Sequence, residues 1–218
     1  MKQPWLLTRS RFSPKHYTCI IAPSWAGAEF EVPSQHWVPD PVFAGTPYAG
    51  EVSIATWNGQ GVFACDVAKA SSRIRFIINL CRQHDLVVVQ EAHCASDKHV
   101  AITDQLRNSH ALWFSTPCDN PVAGGVLLII SHAFLRKFPG PKIASHIDPG
   151  RILKLTLHGP SGALCIFSSH LDSATDARAR CAQISLIAAN IHLRETHHTI
   201  LAGDWNFVQF PEDRVSSH

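Results

Sequence analysis

The chain has 218 residues, of which 45% are hydrophobic and 17% charged, with a formal net charge of +2 and 14 histidines. That length supports one domain with a substantial core, and the composition excludes an intrinsically disordered chain. The charge is too small to argue by itself for a polyanionic partner, and no apolar run is long enough for a membrane span.

The seven cysteines form no C-x-x-C pair. Reduced thiols in a reducing intracellular compartment, nucleus or cytoplasm, are the expectation. A zinc site from His93, Cys94 and the His197–His198 pair lacks the usual ligand spacing.

Within residues 1–50 Pro14, Pro23, Pro33, Pro39, Pro41 and Pro47 recur, with Gly27, Gly45 and Gly50 among them. Proline removes donors and stops helices, so this stretch reads as an irregular extension with little secondary structure of its own. Lys2, Arg9, Arg11 and Lys15 make its start a basic leader, and Trp25, Phe30, Trp37 and Phe43 are candidates to pin it to the domain surface.

The domain proper is expected over residues 51–218. Val52–Trp57 reads as a buried strand ending in the turn sequence Asn58-Gly59-Gln60-Gly61. A helix follows over residues 66–83, with Asp66 as N-cap and Ile74, Ile77, Ile78 and Cys81 at helical spacing. Leu86–Gln90 has the continuous apolar run of a strand covered on both faces. Ser96–Asn108 suits a second helix. Strands are predicted at Ala111–Ser115, Gly125–Ser131, Ile152–Leu157 and Ala163–Ser169, the last two joined by the hairpin signal Gly159-Pro160-Ser161-Gly162. Ala174–Arg194 reads as a long helix, and Thr199–Ala202 as a last strand running into Gly203-Asp204. Strands alternating with helices, and hairpin strands in the middle, point to a layered α/β domain.

Polar groups sit directly beyond apolar strands at Asn58, Glu91, His170 and the Asp204/Asn206 pair. Any one of them alone is more often a cap or turn residue, but in sheet proteins ligand-binding groups collect where strands end. Carboxylate and amide oxygens suit Mg²⁺ or Mn²⁺ with phosphate, and a nearby carboxylate or imidazole can orient water or contact a phosphate oxygen. The set fits phosphodiester hydrolysis. No G-x-S-x-G, P-loop or G-x-G-x-x-G supports acyl, nucleotide or hydride chemistry.

Four segments carry a resemblance: Ile54-Ala55-Thr56-Trp57-Asn58-Gly59-Gln60-Gly61, Val88-Val89-Gln90-Glu91-Ala92-His93, Ser168-Ser169-His170-Leu171 and Gly203-Asp204-Trp205-Asn206-Phe207. In this order and spacing they resemble the motifs of the endonuclease/exonuclease/phosphatase superfamily, in its apurinic-endonuclease and deoxyribonuclease I-like branch. Gln90-Glu91-x-His93, and Gly-Asp-x-Asn-Phe-Val followed by Glu212-Asp213-Arg214, are closest to the endonuclease domains of non-LTR retrotransposons. The resemblance implies a four-layer α/β sandwich, two packed mixed sheets flanked by helices. It implies Mg²⁺ or Mn²⁺ at Glu91 and Asn58, with Asp204 activating water, Asn206 positioning Asp204 and the phosphate, and His170 on the scissile phosphate. The implied partner is nucleic acid, DNA foremost, cut by a monomer to leave a 3′-hydroxyl and a 5′-phosphate.

Two departures qualify this. Gln60 stands where many members carry an acid. The family also closes with an Asp and then an Asp-His well beyond Gly-Asp-x-Asn, whereas only residues 207–218 follow Asn206 and Ser216-Ser217-His218 lies too near Asp204 to return on a separate strand. The expectation is a second sheet left incomplete and a weakened enzyme. The alternatives are a non-catalytic remnant that at most binds nucleic acid, or a phosphoinositide- or sphingomyelin-type phosphoesterase.

Overall fold

The computed structural model describes residues 6–12, 50–63, 67–93, 99–117, 124–160, 162–172, 177–191 and 197–206. In chain order these form β1 (Leu6–Phe12), β2 (Gly50–Asn58), α1 (Val67–Gln83), β3 (Leu86–Gln90), α2 (Val100–Leu106), β4 (His110–Ser115), β5 (Val126–Ser131), α3 (His132–Leu135), β6 (Lys142–Asp148), β7 (Ile152–Gly159), β8 (Gly162–His170), α4 (Ala177–Ala189) and β9 (His197–Asp204). The capping roles read for Asp66 and Ser96, the aromatic residues of 25–43, Cys94, Glu212-Asp213-Arg214 and Ser216–His218 lie outside the described residues.

Two mixed sheets result. One runs β1-β2-β3-β5-β4, with β2 and β3 parallel; the other runs β6-β7-β8-β9, with β8 and β9 parallel. Strand alternation sorts the buried strand residues into layers. Val52, Ile54, Leu86, Val88, Val126, Leu128 and Ile130 of the first sheet meet Leu153, Leu155, Leu157, Leu164, Ile166, Ile200 and Ala202 of the second, forming the central core. The intervening residues Ala55, Val87, Val89, Leu127 and Ile129 face outward and are covered by Ile77, Leu80 and Cys81 of α1 and Ile102 and Leu106 of α2. On the far side Ile152, Cys165 and Phe167 are covered by Ile187 of α4. The order helix–sheet–sheet–helix is the four-layer α/β sandwich that the motifs imply.

Three elements carry too weak a pattern to be read in advance. β6 is an edge strand with mostly exposed residues, so it lacks the apolar alternation of a core strand. α3 is a single turn, capped by the Ser131 hydroxyl accepting from the Phe134 amide at 3.1 Å, which drives Phe134 and Leu135 into the end of the central core. β1 lies within the stretch read as irregular and pairs antiparallel with β2, from Leu6↔Ala55 to Phe12↔Gly50 with a bulge between Leu7 and Ser10. α4 spans Ala177–Ala189, and its C-terminal carbonyls are gripped by a buried lysine: Lys154 Nζ donates to the Asn190 carbonyl at 2.9 Å. A cation there complements the helix dipole.

At the end of the sandwich away from Asn58, His84 and His110 have imidazoles whose pKa values burial pushes below the ordinary value. His110 is held by Ser109 Oγ at 2.8 Å and the Cys81 carbonyl at 3.1 Å. Unfolded, such imidazoles titrate near ~6.5. Below that pH the unfolded chain takes up protons that the folded chain resists, so stability falls as pH drops through and below the unfolded value. The thermal midpoint by calorimetry is expected to decrease from pH 7.5 to pH 5, and less steeply in His110→Gln. A midpoint independent of pH over that range would count against this account.

Candidate active site

The alternation that builds the central core also builds the site. β2 contributes Val52 and Ile54 to the core, so Asn58 falls on the same inner face; Leu164 and Ile166 put His170 there, and Ile200 and Ala202 put Asp204 there. Each stands just past the last apolar layer, at one mouth of the sandwich. Glu91 breaks the alternation. As the neighbour of the inward-facing Gln90 it would point outward in a regular strand, but its φ of 50° swings the carboxylate back over the mouth.

The groups are mutually bonded. Asn58 Nδ2 donates to Glu91 Oε1 and to Asp204 Oδ2, each at 2.8 Å, and Asn58 Oδ1 accepts from the Gln60 amide at 3.0 Å. The Asn206 amide donates to Asp204 Oδ1 at 3.0 Å, while its side-chain Nδ2 holds the Leu171 carbonyl. Thus Asn206 orients Asp204 through its backbone. His170 is buried, with Nε2 3.4 Å from Glu91 Oε1 but in no well-directed hydrogen bond. One ligand atom each from Glu91, His170 and Asp204 lies within 4.8 Å of the others. Burial, and then the Arg151 guanidinium, lower the His170 pKa, opposed by Glu91, Asp204 and Asp172.

All five residues singled out in the sequence, Asn58, Glu91, His170, Asp204 and Asn206, therefore meet at one place. Gln60, standing where an acid is common, has an exposed side chain and serves through its backbone. The zinc alternative is not assembled: His93 is at this mouth, whereas His197 and His198 begin β9 at its other end, roughly 20 Å away at the usual rise per strand residue.

Sequence reasoning passed over Arg151, whose guanidinium lies 3.2 Å from His170 Nδ1 and whose carbonyl accepts from the His170 amide at 2.8 Å. The signal was present. Counting back from the pair Gly159↔Gly162 of the hairpin, each strand step keeps register until Ile152↔Ser169, which leaves Arg151 beside His170. Gln183 of α4 was also missed; it accepts from the Asp172 amide at 2.9 Å and donates to Asp148 at 3.0 Å. It ties the loop before Arg151 to the loop after His170.

The backbone here is unusual. Among the described residues the non-glycine positions with positive φ are Gln60, Glu91, His93 and Asn206, all in the turns that follow β2, β3 and β9. Such conformations cost of order 1–3 kcal/mol each and persist only where surroundings enforce them. Here the enforcement is visible: the Gly59, Gly61 and Phe63 amides donate to the carbonyls of Gln90, Glu91 and Ala92, and the His93 amide to Gly124, all within 3.1 Å.

Two carboxylates, an amide and an imidazole thus converge at one mouth of a two-sheet α/β sandwich. The chain belongs to the endonuclease/exonuclease/phosphatase family, whose model matches residues 55–216. Among solved structures it is similar to TDP2 from C. elegans (TM-score 0.54, 19% identity, covering 76% of this chain and 50% of that one). It is also similar to D. rerio TDP2 complexed with a single-strand DNA product (0.53, 19%, 71% and 60%) and to an AP endonuclease from Archaeoglobus fulgidus (0.51, 16%, 75% and 60%). The chain thus spans 50–60% of these structures, and at such identities the likeness establishes the fold. Among curated protein sequences none matches the chain.

Gly203 lets β9 approach β8 at the site: a Cβ there would run into the Ser169 carbonyl. Gly203→Ala is expected to cost about 2 kcal/mol or more, the range for a backbone clash with no room to relax. Urea unfolding measures it, and a loss under ~0.5 kcal/mol would contradict the close approach.

Proposed function

We propose that this chain is a divalent-metal-dependent endonuclease that hydrolyses phosphodiester bonds in DNA, of the kind found in non-LTR retrotransposons. The observation that carries the reading is the convergence of Glu91 from the first sheet and Asp204 from the second on the single amide of Asn58. Two carboxylates held this close, with a buried imidazole beside them, form a concentrated negative site that fits a hard cation and then phosphate. The finer assignment rests on Gln90-Glu91-x-His93 and on Glu212-Asp213-Arg214 after the Gly-Asp-x-Asn segment.

Glu91 would hold Mg²⁺ or Mn²⁺ with Asn58 beside it, Asn58 Oδ1 keeping one lone pair beyond its bond to Gln60. When bound, the ion would neutralise charge that develops on the phosphate oxygens in the transition state. Asp204, its two oxygens held by Asn58 and Asn206, accepts a hydrogen bond from the attacking water and aligns it. His170 presents a ring nitrogen to a non-bridging phosphate oxygen. Water adds to phosphorus and releases a proton to solvent by way of Asp204, the bond to the 3′ oxygen breaks, and that oxygen leaves as the 3′-hydroxyl on taking a proton from solvent, the 5′ side retaining the phosphate.

Nicking of supercoiled plasmid is the test, with Mg²⁺, with Mn²⁺ and with chelator. Metal-dependent nicking is expected, reduced at least ~10²-fold in Glu91→Ala and in Asp204→Ala. Nicking untouched by both substitutions, or none from folded protein, would sink the endonuclease reading; release of phosphate from a phosphoinositide or of phosphocholine from sphingomyelin under the same conditions would move the substrate to lipid head groups.

A further inference from the structure

We infer that Arg151 is a positioning residue that locks His170 in a single tautomer, with the proton on Nε2, and so makes it a hydrogen-bond donor to the substrate rather than a base. The inference rests on the site reading above and assigns this histidine one direction of hydrogen bonding.

The argument is one of donors and acceptors. A guanidinium has N–H groups and no acceptor, and it stays charged. Its approach to His170 Nδ1 at 3.2 Å therefore requires the lone pair on Nδ1. A neutral imidazole with a lone pair on Nδ1 carries its proton on Nε2. Nε2 is the nitrogen that faces the mouth, 3.4 Å from Glu91 Oε1 and without a well-directed partner. That N–H is thus buried, aimed into the site and still available to an oxygen placed between His170 and the two carboxylates.

The arrangement is braced on both sides. The Arg151 amide donates to the Asp148 carbonyl at 2.9 Å, the Asp148 side chain accepts from Gln183, and Gln183 also holds the Asp172 amide just after His170. The backbone segments that carry Arg151 and His170 are thus tied to the same α4 side chain. A carboxylate at position 151 would do the reverse: it would accept a hydrogen bond from Nδ1–H, holding the proton there and leaving Nε2 as an acceptor.

Long-range ¹H–¹⁵N correlation spectra of the folded protein at pH 8 read the tautomer directly, whether or not the chain is active. The His170 signals are assigned by their loss in His170→Gln. An Nε2–H pattern is expected in the wild type and in Arg151→Lys, which keeps a cationic donor, and an Nδ1–H pattern or a tautomer mixture in Arg151→Met and Arg151→Glu. An Nδ1–H or doubly protonated His170 in the wild type, or an unchanged pattern in Arg151→Met, would overturn the inference. On plasmid nicking, His170→Gln, whose amide can place an N–H near the Nε2 position, is expected to retain at least ~10-fold more activity than His170→Ala. Equal rates would likewise argue against a donor role. Absence of nicking with an intact Nε2–H signature would refute the endonuclease function while leaving the tautomer assignment in place.

Discussion

One side-chain amide joins the two sheets at their functional end. Asn58 leaves the first sheet, and its Nδ2 is shared between a carboxylate of that sheet and a carboxylate of the other. Hydrogen bonds to charged groups are worth about 1.5–3 kcal/mol, and here the more important effect is geometric. The apolar core sets how far apart the sheets lie, but apolar packing is non-directional and cannot by itself place two carboxylates to within an ångström. The shared donor can. The bonds to Gln60 and Asn206 then fix the remaining oxygens of Asn58 and Asp204, so that little rotational freedom is left to either side chain.

The turns after β2, β3 and β9 bear the cost of that order. Positive φ at Gln60, Glu91, His93 and Asn206 would be improbable in a chain selected for stability alone. Glu91 shows what is gained. Without the left-handed step its carboxylate would face α1 and α2 amid Val87 and Val89, a setting in which a charge is expensive. The backbone strain converts an outward position into an inward one, and a cluster of amide–carbonyl bonds among the turns keeps it there.

Much of this was legible in advance because it depends on periodicity. Apolar runs located β3, β5, β7 and β8 to within a residue or two, and the polar groups at the ends of the apolar runs of β2, β3, β8 and β9 singled out Asn58, Glu91, His170 and Asp204. What stayed hidden depends on partners. β6 is an edge strand with little to bury, and α3 is one turn defined by a hydroxyl cap. Lys154, buried in a core strand, is satisfied by the Asn190 carbonyl just beyond α4, a partner remote in sequence. Arg151 was deducible from hairpin register but looked like an ordinary residue in a turn, since its significance lies in what stands across from it. The left-handed Glu91 carries no local signal, because nothing in its own side chain favours that conformation.

The pairing order of the strands has a kinetic corollary. β2–β3 and β8–β9 are both parallel, so each needs a crossover through a helix before its first ladder bond can form, and Asn58 and Asp204 are 146 residues apart along the chain. Contacts of such long range form only after loop closure has been compensated by the rest of the core, and they slow folding. The hairpin β7–β8 can form early and on its own, bringing Arg151 and His170 together while the carboxylates are still dispersed. Arg151 and His170 stand 19 residues apart and Asn58 and Asp204 stand 146 apart, so the carboxylate cluster demands the longest loop closure in the site and the Arg151–His170 pair one of the shortest.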